Sequence, residues 1–337
     1  MGIRHLNRYL RDNCNESIRA MTMADLSGKK IAVDVSIYLY KYESDNMLLE
    51  NMYLMLSIFR HHNVTPIFVF DGKPPPEKKE LLLKRKEDKQ EAQQEYNKLK
   101  KCLENNDQFD EVDKQEIAAS MDQLKKQFIH INKDKIENVK ELIRAYGATY
   151  YDAPGEADEL CALLVLKKKV WACLSEDMDL FVYGCTRVLR YFSLINHSVV
   201  LYYMKGILDE LSLNQKEFRE ICILSGTDYN INKNTTIDNG VNLSATLKLF
   251  AKYKAAANNS KSFYEWLQLN SEYISDLELL EKINRMFDLS SDTNTNANAN
   301  AKSSKLDAFN YIKIINGPVL DECIQNIMRE EGFIFMK

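Results

Sequence analysis

The sequence predicts an α/β fold, a mainly parallel sheet flanked by helices. Three observations carry that reading. Short β-rich apolar runs recur up to about residue 204, helically spaced segments separate them, and acids stand just past several of the runs. Parallel strands need helical crossovers, and open sheets of this kind bind ligands beyond the carboxyl ends of their strands.

Residues 29–35 read as a buried strand after the turn signal SGKK, 48–60 as a helix, and 65–70 (TPIFVF) as a second strand. Pro74-Pro75-Pro76 stops that strand and opens a helix over about 77–101, since proline suits a helix's first turn. The stretch NNDQFDEVD reads as a mobile loop, followed by helical patterning over 115–127 and 133–146. Gly147 is placed to end the latter before the strand ATYYDA. A helix at 156–168, the strand VWACLS and short strands near 187–192 and 198–204 complete the alternation. From 207 onward the pattern is helical, broken by the polar, low-complexity 291–304, and 319–331 is a last amphipathic segment.

Composition is that of an ordinary soluble globular protein, 45% hydrophobic and 28% charged over 337 residues. Seven scattered cysteines without a C-x-x-C pair read as reduced thiols of an intracellular protein. No run approaches a membrane span, and MGIRHL lacks a signal-peptide core, so no membrane partner is expected. The net charge is −4, but it is unevenly spread. Residues 73–101 carry ten Lys/Arg against six Asp/Glu and 123–140 five against two, while 102–122 carry one Lys against seven acids. Such arms are either solvated, salt-bridged helices or phosphate contacts.

Seven acids stand apart: Asp34 in IAVDVS, Asp71 in FVFDGKPPP, Glu156 and Asp158 in APGEADE, Asp177 and Asp179 in SEDMDLF, and Asp228 in LSGTDY. Singly, each is readily a helix cap or a turn residue. Together, at strand ends and helix starts, they suit divalent cations. Mg²⁺ takes few carboxylates per ion, and two such ions can activate water for phosphodiester hydrolysis. If SEDMD continues the strand VWACLS, Asp177 and Asp179 share one face. The five histidines lie away from the acids, which disfavours a zinc or iron centre. Lys78 and Arg85, seven apart on the 77–101 helix, share a face beside Asp71 and are either a solvated stripe or stabilisers of phosphate charge.

These segments, in this order from MGI through VFDGKPP, DAPGEAD and SEDMDLFVYG to ICILSGTDY, resemble flap endonucleases of the XPG superfamily of structure-specific 5′ nucleases. The likeness covers about residues 1–230. It implies a PIN-like nuclease core over 1–206, with a helical arch at 77–140 enclosing a 5′ flap. A helical duplex-binding region of degenerate helix-hairpin-helix type would span 207–290, the linker 291–304 and a helical tail 305–337. It also implies two Mg²⁺ ions, with Mn²⁺ as substitute, on the seven acids, and Lys78 and Arg85 as the basic catalytic pair. Tyr40, which reads equally as a core tyrosine, corresponds to a base-stacking position. Gly2 corresponds to an N-terminus near the metals, and Lys125 and Lys126 to flap-phosphate contacts.

Three departures qualify the likeness. The segment from Tyr40 to residue 65 is about fifteen residues short of typical members, where the junction wedge and a 3′-flap pocket belong. The hairpin after Asp228 reads NKNTTIDNGVNLSATLKLF, with Gly240 its one glycine. Ser303-x-x-Leu306-x-x-Phe309-Asn310 does not match a sliding-clamp box, so clamp binding is not expected. The expected protein is a monomer acting on DNA with 5′ flaps or junctions in replication, repair or recombination. Its place is the nucleus or, for a viral member, the host nucleus or a viral replication site. Alternatives are a nuclease of four-way junctions or double-strand-break ends, and a catalytically silent DNA-binding scaffold. A scaffold would be expected to lack some of the acids, and none is missing.

Overall fold

The computed structural model describes residues 3–105, 111–230, 243–256, 262–271, 273–289, 309, 311–330 and 332–334. Its strands are β1 (Ile18–Thr22), β2 (Lys30–Asp34), β3 (Thr65–Phe70), β4 (Thr149–Asp152), β5 (Ala172–Leu174), β6 (Arg187–Ser193) and β7 (Ser198–Tyr203). They form one sheet in the order β1-β7-β6-β5-β2-β3-β4. Neighbours from β6 to β4 are parallel, while β7 pairs antiparallel with both β6 and β1.

The helices are α1 (Leu6–Asn13), α2 (Val35–Ser44), α3 (Leu48–His61), α4 (Lys79–Asn105), α5 (Glu111–Gln127), α6 (Lys133–Ala145), α7 (Ala157–Leu166), α8 (Asp179–Val182) and α9 (Met204–Leu211). Beyond them come α10 (Gln215–Leu224), α11 (Leu243–Ala255), α12 (Phe263–Asn270), α13 (Leu277–Phe287) and α14 (Asp321–Glu330).

Alternation along the strands explains the two-sided core. Ile31, Val33, Phe68, Ala172 and Leu174 face α2, α3, α6 and α14, while Ala32, Ile67, Val69 and Cys173 face α1, α7, α8 and α10. Each large side chain so buried contributes about 1.5–3 kcal/mol. The second core runs on without a break through Phe218 and Ile221 of α10 into Leu280, Ile283 and Phe287 of α13.

Where the chain departs from expectation, local partners decide. Helices α1 and α2 and strand β1 were not read from the sequence. Strand β1 is an edge strand paired only with β7, so its residues alternate weakly in burial. Helix α2 is dense in β-branched and aromatic residues, which blurs its helical pattern. Helices α4 and α5 extend into NNDQFDEVD from both sides, leaving only 106–110 outside the described residues. Gly2, Gly240, the linker 291–304 and most of the clamp-box stretch also lie outside them.

Gly147 ends α6 with φ +70 as expected, and it has a second reason to be glycine. The carbonyls of Ala145, two residues earlier, and of Gly147 itself accept from Leu320 N–H and Gly317 N–H of a returning segment at 2.7 Å each, and a Cβ on Gly147 would meet Gly317 at 2.6 Å.

The topology positions the site. From β2 the chain builds β3 and β4 on one side, then crosses to lay β5 on the other. The crevice beyond the carboxyl ends of β2 and β5 is therefore a topological switch point.

Candidate active site

All seven singled-out acids arrive at that crevice, each through a different local device. Asp34 is the last residue of β2 and precedes α2; it is buried, and Oδ2 accepts a 2.8 Å hydrogen bond from the Ser175 hydroxyl. Asp71 follows β3, and its Oδ1 accepts from the Ala157 N–H at the start of α7, again at 2.8 Å. Gly72 makes this approach possible, because a Cβ there would sit 1.8 Å from the Ala153 carbonyl oxygen. Glu156 occupies the N-cap position of α7 and Asp158 its first turn, where the helix dipole favours acids.

The strand expected to carry Asp177 and Asp179 ends earlier, at Leu174. Its last pairings join Leu174 to Val33 of β2 and to Leu189 of β6. Instead Asp177 Oδ1 accepts the Asp179 N–H at 3.0 Å, a side-chain turn that redirects the chain into α8. The two acids converge through that turn, not through a shared strand face. Asp228 follows α10 in a turn closed by Asn230, whose Oδ1 accepts from the Thr227 N–H at 2.7 Å and whose side-chain amide donates to the Ile223 carbonyl.

Lys78 and Arg85 enter from the arch side. Lys78 belongs to a short 3-10 turn, Pro76–Lys78, ahead of α4, so it and Arg85 do not share one continuous α-helix as expected. They converge nonetheless. Lys78 Nζ is 2.7 Å from Glu156 Oε1 and 3.9 Å from Asp228 Oδ2, and Arg85 Nη2 is 2.8 Å from the same Asp228 oxygen. Tyr229, which sequence reasoning passed over beside Asp228, donates to Glu156 Oε2 at 2.5 Å and lies under Lys78 Nζ at 4.8 Å. Ser175 was missed too; its signal was a hydroxyl immediately before the acid pair.

The electrostatics follow from crowding like charges in a buried place. Burial, then repulsion from Asp71, pushes Asp34 up to about 7. Burial and the neighbouring Asp177 push Asp158 and Asp179 well above the ordinary carboxylate range. Burial alone would lower the Lys78 ammonium, but Glu156, Asp179 and Asp158 outweigh it and hold its pKa above that of an ordinary lysine. Lys78 is thus a fixed cation at neutral pH.

The donor set fits hard divalent cations. It is all carboxylate, it holds more negative charge than two basic side chains balance, and Asp179 Oδ1 is buried without a hydrogen-bond partner. Among the described residues no three such groups stand close enough to hold an ion as they are. Lys78 and Arg85 engage Glu156 and Asp228 instead.

Tyr40 is not a core residue: it is half exposed on α2, with Lys89 Nζ 5.1 Å above its ring. Lys125 and Lys126 lie exposed in the last turn of α5. Three residues, 45–47, connect α2 and α3 in the segment expected to carry the wedge.

Two family models match the regions that build this crevice: the XPG N-terminal domain over residues 1–92 and the XPG I-region over 147–228. Between them they hold all seven acids, Lys78 and Arg85. The chain belongs to the XPG family. Its relatives include flap endonuclease 1 of Drosophila yakuba, 32% identical over 247 residues, and that of Bos taurus, 30% identical; each match covers 68% of this chain. The chain spans 60% and 62% of the length of these two curated relatives. Solved XPG-like folds are similar as well. The catalytic core of Rad2 in complex with DNA substrate superposes with a TM-score of 0.64 at 20% identity, covering 98% of this chain and 95% of that one. Flap endonuclease-1 from Methanococcus jannaschii gives 0.53 at 22% identity over 80% and 81%. These structures share the fold, a mostly parallel sheet among helices. Among the described residues, no helix is long and apolar enough to cross a membrane.

Proposed function

We propose that this XPG-family chain is a structure-specific 5′ nuclease that hydrolyses DNA phosphodiesters near 5′ single-strand/duplex junctions, as a flap endonuclease with 5′ exonuclease activity. The observation that carries the reading is the convergence of seven carboxylates on the sheet's switch point, with Lys78 and Arg85 aimed into them.

Asp34, Asp71, Glu156, Asp158, Asp177, Asp179 and Asp228 are the residues that would hold two Mg²⁺ or Mn²⁺ ions, which when bound polarise the phosphodiester and generate hydroxide near neutral pH. The protein's own groups prepare that place. The Ser175 hydroxyl fixes one oxygen of Asp34, and the Ala157 N–H fixes one of Asp71. Tyr229 holds Glu156, leaving Lys78 free to move toward a phosphate without loosening the carboxylate. Lys78 stays protonated, so its task is to stabilise negative charge on the phosphate and not to accept a proton. Arg85 is more exposed and can present a two-pronged donor to phosphate. Tyr40 offers a half-exposed ring for base stacking, and Lys125 and Lys126 meet flap phosphates.

The test is a panel of end-labelled 5′-flap, double-flap, nicked, gapped and four-way DNA in Mg²⁺. Cutting at the base of the 5′ flap is expected, and no cutting on any member overturns the reading. Preferential cutting of four-way DNA would favour a junction nuclease, the reading supported by the three-residue link where a wedge is expected.

A further inference from the structure

Behind the acid crevice lies a second polar cluster that no step above uses. Its centre is Arg190 of β6, which is 6% exposed. A guanidinium is costly to bury unless its neighbours pair it, and here they do. Nη1 donates to Asn7 Oδ1 of α1 at 2.6 Å, and Nη2 donates to the Glu176 carbonyl at 3.0 Å. The Glu176 carboxylate also stands 3.4 Å from Nη2, and the guanidinium lies over the rings of Tyr191 and Tyr202. Asn7 is held in turn: it accepts from the Tyr202 hydroxyl at 2.8 Å and donates to the Tyr191 hydroxyl at 2.7 Å.

The place of Glu176 gives the cluster its meaning. It stands between Ser175, which holds Asp34, and Asp177, whose side chain turns the backbone toward Asp179. Ser175 N–H still donates to the Leu189 carbonyl at 3.1 Å, as in a parallel ladder. Beyond it side chains take over. Arg190 reaches the Glu176 carbonyl, and Tyr191 N–H donates to Glu176 Oε1 at 2.5 Å. That amide is aimed by a bulge: the pairing of β6 with β7 shifts register between Arg190 and Ser193, and Tyr191 sits at φ +57. A tyrosine adopts this left-handed conformation only where its surroundings impose it, and such strain clusters at functional sites. Residue 176 is thus gripped from β6 through both main chain and side chain, and Asn7 ties that grip to α1. Ser175 Oγ passes the placement on, accepting from Asp177 N–H at 3.1 Å while it donates to Asp34.

We propose that Arg190 is a positioning residue of the acid crevice: with Glu176 and Asn7 it locks the 175–179 turn, and so sets where Asp34, Asp177 and Asp179 present their carboxylates. The proposal rests on the reading above that these acids hold divalent ions, and it adds a brace that touches neither ion nor DNA.

Mn²⁺ binding without DNA, followed by loss of the free-ion EPR signal, tests it, because charge and position predict opposite signs. Removing a fixed cation near a metal site should tighten Mn²⁺ by electrostatics alone, whereas a loosened turn should weaken it. Arg190→Gln is expected to weaken Mn²⁺ binding about tenfold, the scale on which groups that orient metal ligands act. Arg190→Lys keeps the charge but not the planar fork, and it should weaken binding too. Glu176 is partly exposed, so a second pair of variants decides the matter if no Arg190 variant folds. Glu176→Gln and Glu176→Ala lose the same charge, yet only Gln can still accept the Tyr191 N–H. The Ala variant should therefore bind Mn²⁺ severalfold more weakly than the Gln variant. Wild-type or tighter Mn²⁺ binding by folded Arg190→Gln and Arg190→Lys, or equal binding by the two Glu176 variants, overturns the brace whatever their melting temperatures. Cleavage of flapped DNA by the same proteins separates the two readings. Wild type that never cuts, while the variants lose Mn²⁺ as expected, overturns the nuclease reading alone. Wild type that cuts, while the variants bind Mn²⁺ as it does, overturns the brace alone. Wild type that binds no Mn²⁺ overturns both.

Discussion

The acid crevice and the basic arch of α4 and α5 are neighbours built on opposite plans. In the crevice the side chains are largely buried and most are held by a named partner, as Ser175 holds Asp34 and Tyr229 holds Glu156. On the arch, Lys125 and Lys126 are exposed and stand among other lysines of similar reach. Chemistry that depends on position is concentrated where the fold fixes atoms. Attraction that depends on charge is spread where it does not. The two should therefore respond to substitution in different ways, one steeply and locally, the other gradually and with salt.

The largest effect is expected in the crevice. Asp34→Ala should lower cleavage in Mg²⁺ by about a hundredfold or more, the scale of losing one preorganised electrostatic group, while DNA affinity changes little. Removing the ions with a chelator should abolish cleavage. Adding Mg²⁺ back should raise the melting temperature of the wild type, because bound cations offset the burial and the repulsion that push Asp158 and Asp179 up. A melting temperature indifferent to Mg²⁺ would count against the cluster as an ion site.

Lys78→Ala comes next, with kcat falling more than tenfold and affinity by much less. Equal losses in both would move Lys78 from the crevice's plan to the arch's, as a simple phosphate contact.

The arch should give a smaller, graded response. Reversing Lys125 and Lys126 together should weaken binding to flapped DNA severalfold at low salt and reduce the slope of log K against log salt by about 2. An unchanged slope would remove both from the flap path.

The smallest effect separates burial from clustering. Glu220 on α10 is buried but has basic neighbours, Lys216 and Arg219, and burial still pushes it up to about 7. Unfolded, it titrates near 4.3. The folded state thus binds the extra proton between about pH 4 and 7, and stability falls as pH rises through that window. Glu220→Gln should stabilise the protein by on the order of 2 kcal/mol at pH 8 and by almost nothing at pH 4, measured by urea unfolding.

How much of this was legible beforehand follows the same division. The acids were readable because continuous β-rich apolar runs mark buried strands, and Asp34 and Asp71 sit at their ends. The route of Asp177 and Asp179 was not, because β5 stops at Leu174 and an aspartate side chain then turns the backbone. Lys78 and Arg85 could be paired by spacing, yet spacing could not tell that a 3-10 turn separates them or that both would meet Asp228. Strand β1 and helix α2 escaped because an edge strand and a β-branched helix carry weak or misleading periodicity.

One measurement bears most directly on the crevice as a nuclease centre: single-turnover cleavage of an end-labelled 5′ flap in Mg²⁺ by wild type and Asp179→Asn, each saturated with DNA. Asn keeps the shape of the buried side chain and removes its charge. The account predicts a cut at the flap base by wild type and none by the variant at equal DNA occupancy. A variant that cuts at the wild-type rate, or a wild type that leaves the flap whole, would contradict it.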